Sequence, residues 1–402
     1  MLERILDDSY PPEVRRAVVP LTVARLATNA VYRFAPPFLA TISRGLDVDL
    51  AALGVALAIT EVSGLASPLI GRVVDRVPRR PAMVFGLVGV GAGAAVAAGS
   101  PGIVMFTVGL LLLAVTKVVF DVGLISWTAD HIPYERRGRV VGMIETSWAL
   151  GLLLGATALG LVAAATSWRW SYVIGGLLTA ATAGLVLAFV DREDGRHRAG
   201  VGGRRRDVGH LPPSAWAAMI GLLGLMGAAQ ALFVTFGAWL EDEFGIGTAG
   251  LAAVTFGIGA LELAASLTSA ARTDRWGKEL SVVRGAAVML PAGLLLAAVD
   301  GHLLPGLLAL GVFIGAFEFS IVSAMPIGTL LVPGAPGRGT GVMLGCGTIG
   351  RAVTAIPATR LYDRFGMSSS ALLAAAFACL AGGAMLWRHH LLAPRPELRR
   401  AG

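Results

Sequence analysis

The chain has 402 residues, of which 55% are hydrophobic and 15% are charged, and it contains 53 glycines. Soluble domains contain about 25% charged residues, whereas membrane helices tolerate glycine well, so an ordinary soluble domain is excluded. The net charge of +7 would suit nucleic-acid binding, but the charges lie in short blocks between apolar runs, as membrane topology predicts instead.

Apolar runs of about 20 residues, the length that one helix needs to cross a bilayer, recur along the whole chain. The alternating pattern of a membrane barrel is missing from the sequence, so we predict an all-α membrane protein with twelve transmembrane helices. The predicted segments are 16–42, 50–70, 81–99, 102–128, 139–164, 170–190, 213–240, 248–270, 282–299, 303–331, 339–361 and 367–387.

The first segment carries Arg25, Asn29 and Arg33, although an arginine at the bilayer centre costs about 3 kcal/mol. These residues are spaced four and four, so they form one stripe on the helix. We therefore expect the stripe to face the interior of a helix bundle.

Positive charges lie on one set of connections between the segments. If both termini are cytoplasmic, 25 of the 33 Lys and Arg residues lie on cytoplasmic segments. This distribution obeys the positive-inside rule, and the opposite orientation would violate it. We predict a multi-pass protein of the plasma (inner) membrane with both termini in the cytoplasm.

An Arg- and Gly-rich stretch divides the segments six from six. We predict a six-helix bundle over residues 1–190, a cytoplasmic linker over 191–212 and a second six-helix bundle over 213–402. "GRVVDRVPRR" and "ARTDRWGK" are alike, and the pair "RRGRVVG" and "APGRGTG" has the same offset of 199 residues. The constant offset indicates that the two bundles are related by an internal repeat.

The loop "GRVVDRVPRR" resembles the loop signature of the major facilitator superfamily, and the likeness extends over essentially the whole chain. Pro78 departs from the glycine of that signature. The resemblance implies a transporter that works by alternating access, with this loop and its repeat as a gate; charge that only sets topology is the alternative. The gating-loop residues are Gly71, Asp75, Arg76, Arg79, Arg80, Asp274 and Arg275.

Glycines in the fifth segment are similar to the antiporter motif of that superfamily, namely Gly142, Gly151, Gly155 and Gly160. The match is degenerate, because Ala156 stands in place of the motif's proline. The resemblance implies export, whereas close helix packing is the alternative explanation.

Charged side chains within the segments balance in each half, so we expect them to pair within their own half. We expect Lys117 and Asp121, four residues apart, to pair on one helix face. Arg33 and Arg360 are expected near the outer face. The first half contributes a predicted charge network of Arg25, Arg33, Glu61, Lys117, Asp121 and Glu145. The predicted substrate cavity comprises Asn29, Glu262, Glu318 and Arg351.

Three interpretations of these charges stay open: a static ion-pair network, proton coupling by a buried acid, and binding of an anionic substrate. Glu145 and Asp121 are the leading candidates for coupling, because they lie on the cytoplasmic side of the centre.

The sequence lacks a nucleotide-binding loop, a dinucleotide fingerprint and a metal-ligand cluster, so we expect neither an enzyme nor a cofactor or metal site. We predict a monomeric secondary transporter that exports a small molecule in exchange for protons. Its partners would be that substrate, protons and the lipid bilayer, and not nucleic acid. The alternatives are an organic-anion importer or uniporter, a lipid flippase and a non-transporting membrane sensor.

Overall fold

The computed structural model describes residues 10–74, 76–132, 134–191, 211–328, 331 and 336–392. Every regular element within these ranges is a helix, which confirms the all-α fold. The α-helices are α1 Pro12–Tyr32, α2 Leu39–Leu46, α3 Leu50–Val62, α4 Ser67–Val74, α5 Arg79–Ala98, α6 Ile103–His131, α7 Tyr134–Leu150, α8 Thr157–Ala165, α9 Trp168–Phe189, α10 Pro213–Phe233, α11 Phe236–Phe244, α12 Thr248–Trp276, α13 Lys278–Ala298, α14 Leu303–Gly328, α15 Pro336–Phe365 and α16 Met367–Leu392.

Each of the twelve predicted segments is one helix or one interrupted helix. Ten helical stretches in the described part of the chain are long and apolar enough to cross a membrane, and an eleventh, Leu50–Ala66, is shorter. The protein is therefore a multi-pass membrane protein, and the total of twelve crossings stays a prediction.

Among the interruptions of the predicted segments are a 3₁₀ turn after α1 and a π-helix after α7. Pro36 and Pro37 follow α1 and form a short 3₁₀ turn with Phe38, because proline lacks the N–H that continues an α-helix. A π-helix at Gly151–Ala156 joins α7 to α8. π-Helical turns are rare and occur often at functional sites.

The packing of the first half recurs in the second half. In the first half, α5 packs against α6 and α9, α1 against α9 and α7, and α3 against α6. The matching contacts in the second half are α13 with α14 and α16, α10 with α16 and α15, and α12 with α14. This correspondence agrees with the internal repeat that the loop sequences predict.

The most extensive contacts between the halves lie in two helix pairs: α3 packs against α15, and α12 packs against α8 and the π-helix. The helices of the first pair approach closely, since a Cβ added to Gly54 would lie 2.2 Å from Thr359 Oγ1. In the second pair, a Cβ added to Gly259 would lie 2.5 Å from the backbone of Leu153.

The two faces of the molecule can be told apart by their contacts. Residues beyond the end of α1 meet α11, whereas Arg388 near the end of α16 donates to the carbonyl oxygen of Ser214 at the start of α10. The starts of α1 and α10 and the end of α16 therefore share one face, called here the terminal side. The other face is called the opposite side.

Candidate functional site

A cluster of charges lies inside the first half. Arg25 Nη1 lies 2.9 Å from Glu145 Oε1, and Arg25 Nε lies 3.5 Å from Asp121 Oδ1. Lys117 Nζ lies 2.6 Å from Asp121 Oδ2, so the expected pair four residues apart is present. Arg25 and Lys117 are buried, whereas the Glu145 side chain is 52% exposed. Asp121 thus stands between two buried cations.

Arg33 pairs with an acid of the other half. Its Nη1 and Nη2 atoms donate to Glu262 Oε2 and Oε1 at 2.8 and 2.7 Å, and Glu262 is 0% exposed. Arg33 also donates to the carbonyl oxygen of Trp148 at 3.0 Å and lies 4.6 Å from the centre of that indole ring. A two-point guanidinium–carboxylate contact is among the strongest polar contacts in proteins.

A second ion pair joins the two halves directly, and a tyrosine hydroxyl contacts both of its members. Arg351 of α15 donates from Nη2 to Glu61 Oε1 of α3. Tyr32 Oη donates to the same oxygen at 3.1 Å and lies 3.4 Å from Arg351 Nη2. Glu61 and Glu262 occupy the second predicted segment of each half, so the two crossing acids stand at related places in the repeat.

The expectation that charges pair within each half is therefore wrong for Arg33, Glu61, Glu262 and Arg351. The second segments of the two halves face the join between them, so their acids meet arginines that come from across it. The expected position of Arg33 near the outer face stays a prediction. Arg33 can be buried because Glu262 compensates its charge.

Glu318 of α14 differs from Glu61, Asp121, Glu145 and Glu262, which each contact a cation. It is 3% exposed, and its Oε1 accepts a hydrogen bond from Ser266 Oγ at 2.7 Å. Its Oε2 is buried without a hydrogen-bond partner, and among the described residues Glu318 forms no ion pair. Glu318 is thus buried where α12 and α14 meet, and its expected place in the substrate cavity stays a prediction.

Three hydroxyl groups form a triangle next to this acid, toward the terminal side. Ser269 Oγ and Thr273 Oγ1 are 2.9 Å apart, and Ser323 Oγ lies 2.8 Å from the former and 2.7 Å from the latter. All three residues are buried. Because each hydroxyl can donate and accept, the triangle can satisfy itself in either rotational sense.

This hydroxyl set was not predicted from the sequence, although its spacing is regular. Glu262, Ser266, Ser269 and Thr273 follow one another at four, three and four residues, which places them on one face of α12. Tyr32 was missed as well, because its role depends on two partners that are distant in sequence.

Asn29 and the glycines of the fifth segment form a helix contact. Asn29 is fully buried and its Nδ2 donates to Ser147 Oγ at 3.3 Å, so it packs between α1 and α7. A Cβ added to Gly151 would lie 2.7 Å from Asn29 Cβ, and one added to Gly155 would lie 2.2 Å from Ala30 Cβ. At Gly160 the added atom would meet Phe38. The surroundings of Gly142 lie outside the described residues.

Two cations of the first gating loop bind within their own half. Arg79 Nε donates to Asp130 Oδ2 of α6 at 3.0 Å, and its Nη1 donates to the Val74 carbonyl oxygen at 3.0 Å. Arg80 Nη2 donates to the carbonyl oxygen of Leu187. The expected pairing of these two arginines with acids of the other half or with lipid stays a prediction.

Three further gating residues, Gly71, Arg76 and Arg275, lie at the terminal side. Gly71 lies near the end of α4, and Arg76 and Arg275 are exposed. Asp75 and the side chain of Asp274 lie outside the described residues. The expected role of both acids stays a prediction.

A separate set of contacts closes the join on the opposite side. Thr41 Oγ1 donates to Glu241 Oε1 at 3.0 Å and lies 3.3 Å from Thr248 Oγ1, and Arg44 pairs with Glu241. A Cβ added to Gly237 would lie 2.2 Å from the carbonyl oxygen of Pro37, so the two backbones touch. These contacts define the opposite-side clasp.

The sequence matches a family model and several transporters. The model described as Major Facilitator Superfamily matches residues 21–355. YwfA of Bacillus subtilis, named an uncharacterized MFS-type transporter, is 25% identical over 155 residues, which are 38% of each chain. YgaY of Escherichia coli O157:H7, named an uncharacterized transporter, is 28% identical over 165 residues, which are 40% of this chain and 41% of that one. The matches thus span about two fifths of these relatives.

Solved structures resemble the chain over nearly its whole length. The crystal structure of a bacterial homolog to the human lysosomal transporter Spinster, inward-facing and unoccupied, has a TM-score of 0.72 at 13% identity and covers 94% of this chain and 98% of that one. The human organic anion transporter MFSD10 has a TM-score of 0.69 at 19% identity, with 94% and 100% covered. At these identities the likeness establishes the fold alone.

Proposed function

The chain belongs to the major facilitator superfamily, and from this premise we propose that it is a secondary transporter that exports a small molecule in exchange for protons. The observation that carries the proposal is the pair of buried ion pairs across the join, Arg33 with Glu262 and Arg351 with Glu61. We place these links near the middle of the membrane, where transporters built from such repeats bind their substrates.

Alternating access requires the two ion pairs between the halves to break and form again. Parting the halves at the centre would leave buried charges without partners, which is severely unfavourable unless a proton or substrate compensates them. The opposite-side clasp must also open when that face is exposed, whereas the gating loops act at the terminal side. Protonation of an acid is a simple way to bias such an equilibrium.

The charge balance favours a cationic or neutral substrate. Arg25, Arg33, Lys117 and Arg351 each contact a carboxylate, so none offers a free positive charge to an anion. Glu318 adds a further acid that none of the described cations pairs. The organic-anion specificity named for MFSD10 therefore gains no support from this centre.

The same proposal includes orientation and assembly. The terminal side would face the cytoplasm of the plasma membrane, because the cationic connections lie there. The moving bodies would be residues 1–190 and 213–402, joined by the linker 191–212. A single copy carries both halves of the proposed path, so we propose a monomer.

The test begins with a thermal-stability screen of the purified full chain against cationic, neutral and anionic small molecules. The compound that stabilises most is then added to liposomes that contain the protein, a pH gradient and an internal pH dye. We expect substrate-dependent proton movement from a cationic or neutral compound. The effect should be at least tenfold weaker in Arg33→Ala and unchanged in Asp191→Asn, which alters an exposed ion pair.

The export proposal fails if the selected compound moves without affecting the internal pH. Selection of an anion alone, with uptake that needs no proton gradient, would support the importer or uniporter instead.

A further inference from the structure

Glu318 is the unusual acid of this transporter. Glu61, Asp121, Glu145 and Glu262 all contact an arginine or a lysine, whereas the Glu318 carboxylate has one hydroxyl donor and a buried oxygen without a partner. An ionised carboxylate that is removed from water and left without a cation is highly unfavourable. Buried acids of this kind bind a proton readily, while paired acids resist it.

The charges around Glu318 also distinguish it from the acids that contact a cation. Glu262 on α12, Glu145 on α7 and Arg33, directly after α1, are the charged groups that act on Glu318. Arg33 is already held by Glu262 at two points. When the halves part and this ion pair opens, Glu262 becomes a second uncompensated carboxylate one helical turn from Ser266. A proton on Glu318 would remove the repulsion between the two acids.

Further hydroxyl side chains follow Glu318 and Ser266 toward the terminal side. Along α12 the donor Ser266 is followed by Ser269 and Thr273, and Ser323 comes five residues after Glu318 on α14. At 1.5 Å per residue, Ser323 lies about 7 Å farther along α14. The hydroxyl triangle is therefore placed between the acid and the terminal side, inside otherwise apolar packing.

We propose that Glu318 is a proton-exchange site and that the hydroxyl triangle of Ser269, Thr273 and Ser323 carries its proton toward the terminal side. In each transfer a hydroxyl oxygen accepts one proton and releases its own to the next acceptor, so only O–H bonds form and break. The assignment of this proton to coupling rests on the proposed function. The site itself requires only that Glu318 titrates.

The experiment measures the protonation of Glu318 directly. Infrared difference spectra of the full chain in liposomes, recorded between alkaline and acidic buffer, should contain the carbonyl stretch of a protonated carboxylic acid. Glu318→Gln, which keeps the size and a hydrogen bond to Ser266, should remove that band. Glu145→Gln, which changes an acid paired with Arg25, should retain it.

The route is tested by kinetics. After a pH jump, Ser269→Ala and Ser323→Ala should keep the band but slow its appearance several-fold, whereas Thr268→Ala, an exposed hydroxyl on the same helix, should not. The proposal is overturned by a missing titrating band, by a band unchanged in Glu318→Gln, or by a band that responds to sodium at constant pH. Unchanged kinetics in the triangle variants overturn the route.

This measurement separates the two proposals, because it needs no substrate. A band that behaves as expected, without proton movement during transport, would overturn proton-coupled export and support Glu318 as an exchange site. Proton-coupled transport that persists in Glu318→Gln would support the export proposal and show that Glu318 does not carry the coupled proton.

Discussion

The two halves share a packing scheme but handle buried polarity in different ways. The first half encloses a set of contacting charges, Arg25, Lys117, Asp121 and Glu145. The second half places hydroxyls and one unpaired acid on the facing sides of α12 and α14. Related backbones can therefore carry a fixed charge network in one half and an exchangeable group in the other.

The difference follows from how each kind of group responds to a proton. An acid between two cations is held ionised, so its contacts serve as structure. Hydroxyls keep their hydrogen bonds in either sense, so they tolerate a change of charge beside them. This comparison explains why Asp121, a leading coupling candidate on sequence grounds, is less suited to that role than Glu318.

The largest loss of stability is expected for the ion pair that joins the two halves. Glu262→Gln leaves Arg33 buried and poorly compensated, so we expect the free energy of unfolding to fall by about 3–5 kcal/mol. Denaturation in mixed micelles measures it. Glu243→Gln, at an exposed acid, is the control and should change stability by less than about 0.5 kcal/mol. Equal losses in both variants would contradict a structural role for the crossing pair.

A smaller loss is expected within the charge cluster. Asp121→Asn removes the partner of Lys117, while Arg25 keeps Glu145, so we expect a loss of about 3 kcal/mol at most. The same denaturation assay applies, and Glu318→Gln is the matched comparison in the second half. If Glu318→Gln destabilises the protein more than Asp121→Asn does, the contrast between the halves is wrong.

The glycine contact that supports the charged helix α1 should have an intermediate effect. Gly155→Ala forces a methyl group against Ala30, and we expect a loss of about 1–3 kcal/mol from overpacking. Thermal unfolding measures the change. Gly184→Ala, where an added Cβ meets nothing within 4 Å, should leave stability equal or slightly higher. A similar loss at both sites would show that helix propensity, and not this contact, decides the result.

The smallest effect is expected in the hydroxyl triangle. Ser269→Ala removes one member, and we expect a loss of about 1 kcal/mol, because the other two hydroxyls still bond each other. Ser368→Ala, whose hydroxyl makes an exposed bond, is the control in the same assay. A loss as large as that of Glu262→Gln would mean that the triangle is a rigid structural element.

Much of the fold could be predicted from hydropathy and charge. The twelve segments correspond to observed helices, because the length and apolarity of a membrane helix are local properties of the sequence. The pair of Lys117 with Asp121 was predictable for the same reason, since four residues bring both side chains to one face.

The partners across the join could not be predicted from one sequence. Arg33 and Glu262 are 229 residues apart, and charge balance within each half favoured other partners. The unpaired state of Glu318 was equally hidden, because it depends on which cations are already bound elsewhere. In contrast, the hydroxyl stripe on α12 was open to prediction, because spacings of three and four residues place side chains on one helix face, as the repeated spacing of four does for the arginine stripe of the first segment.

The backbone contact of Gly237 with Pro37 offers a means of control over the conformational cycle. A methyl group at this position cannot fit beside the carbonyl oxygen, yet it alters no charge and no hydrogen-bonding side chain. Gly237→Ala would act as a wedge that favours states open toward the opposite side. One added carbon atom would thus increase the population of the conformations in which the opposite-side clasp is open, and these conformations would become accessible to structural study.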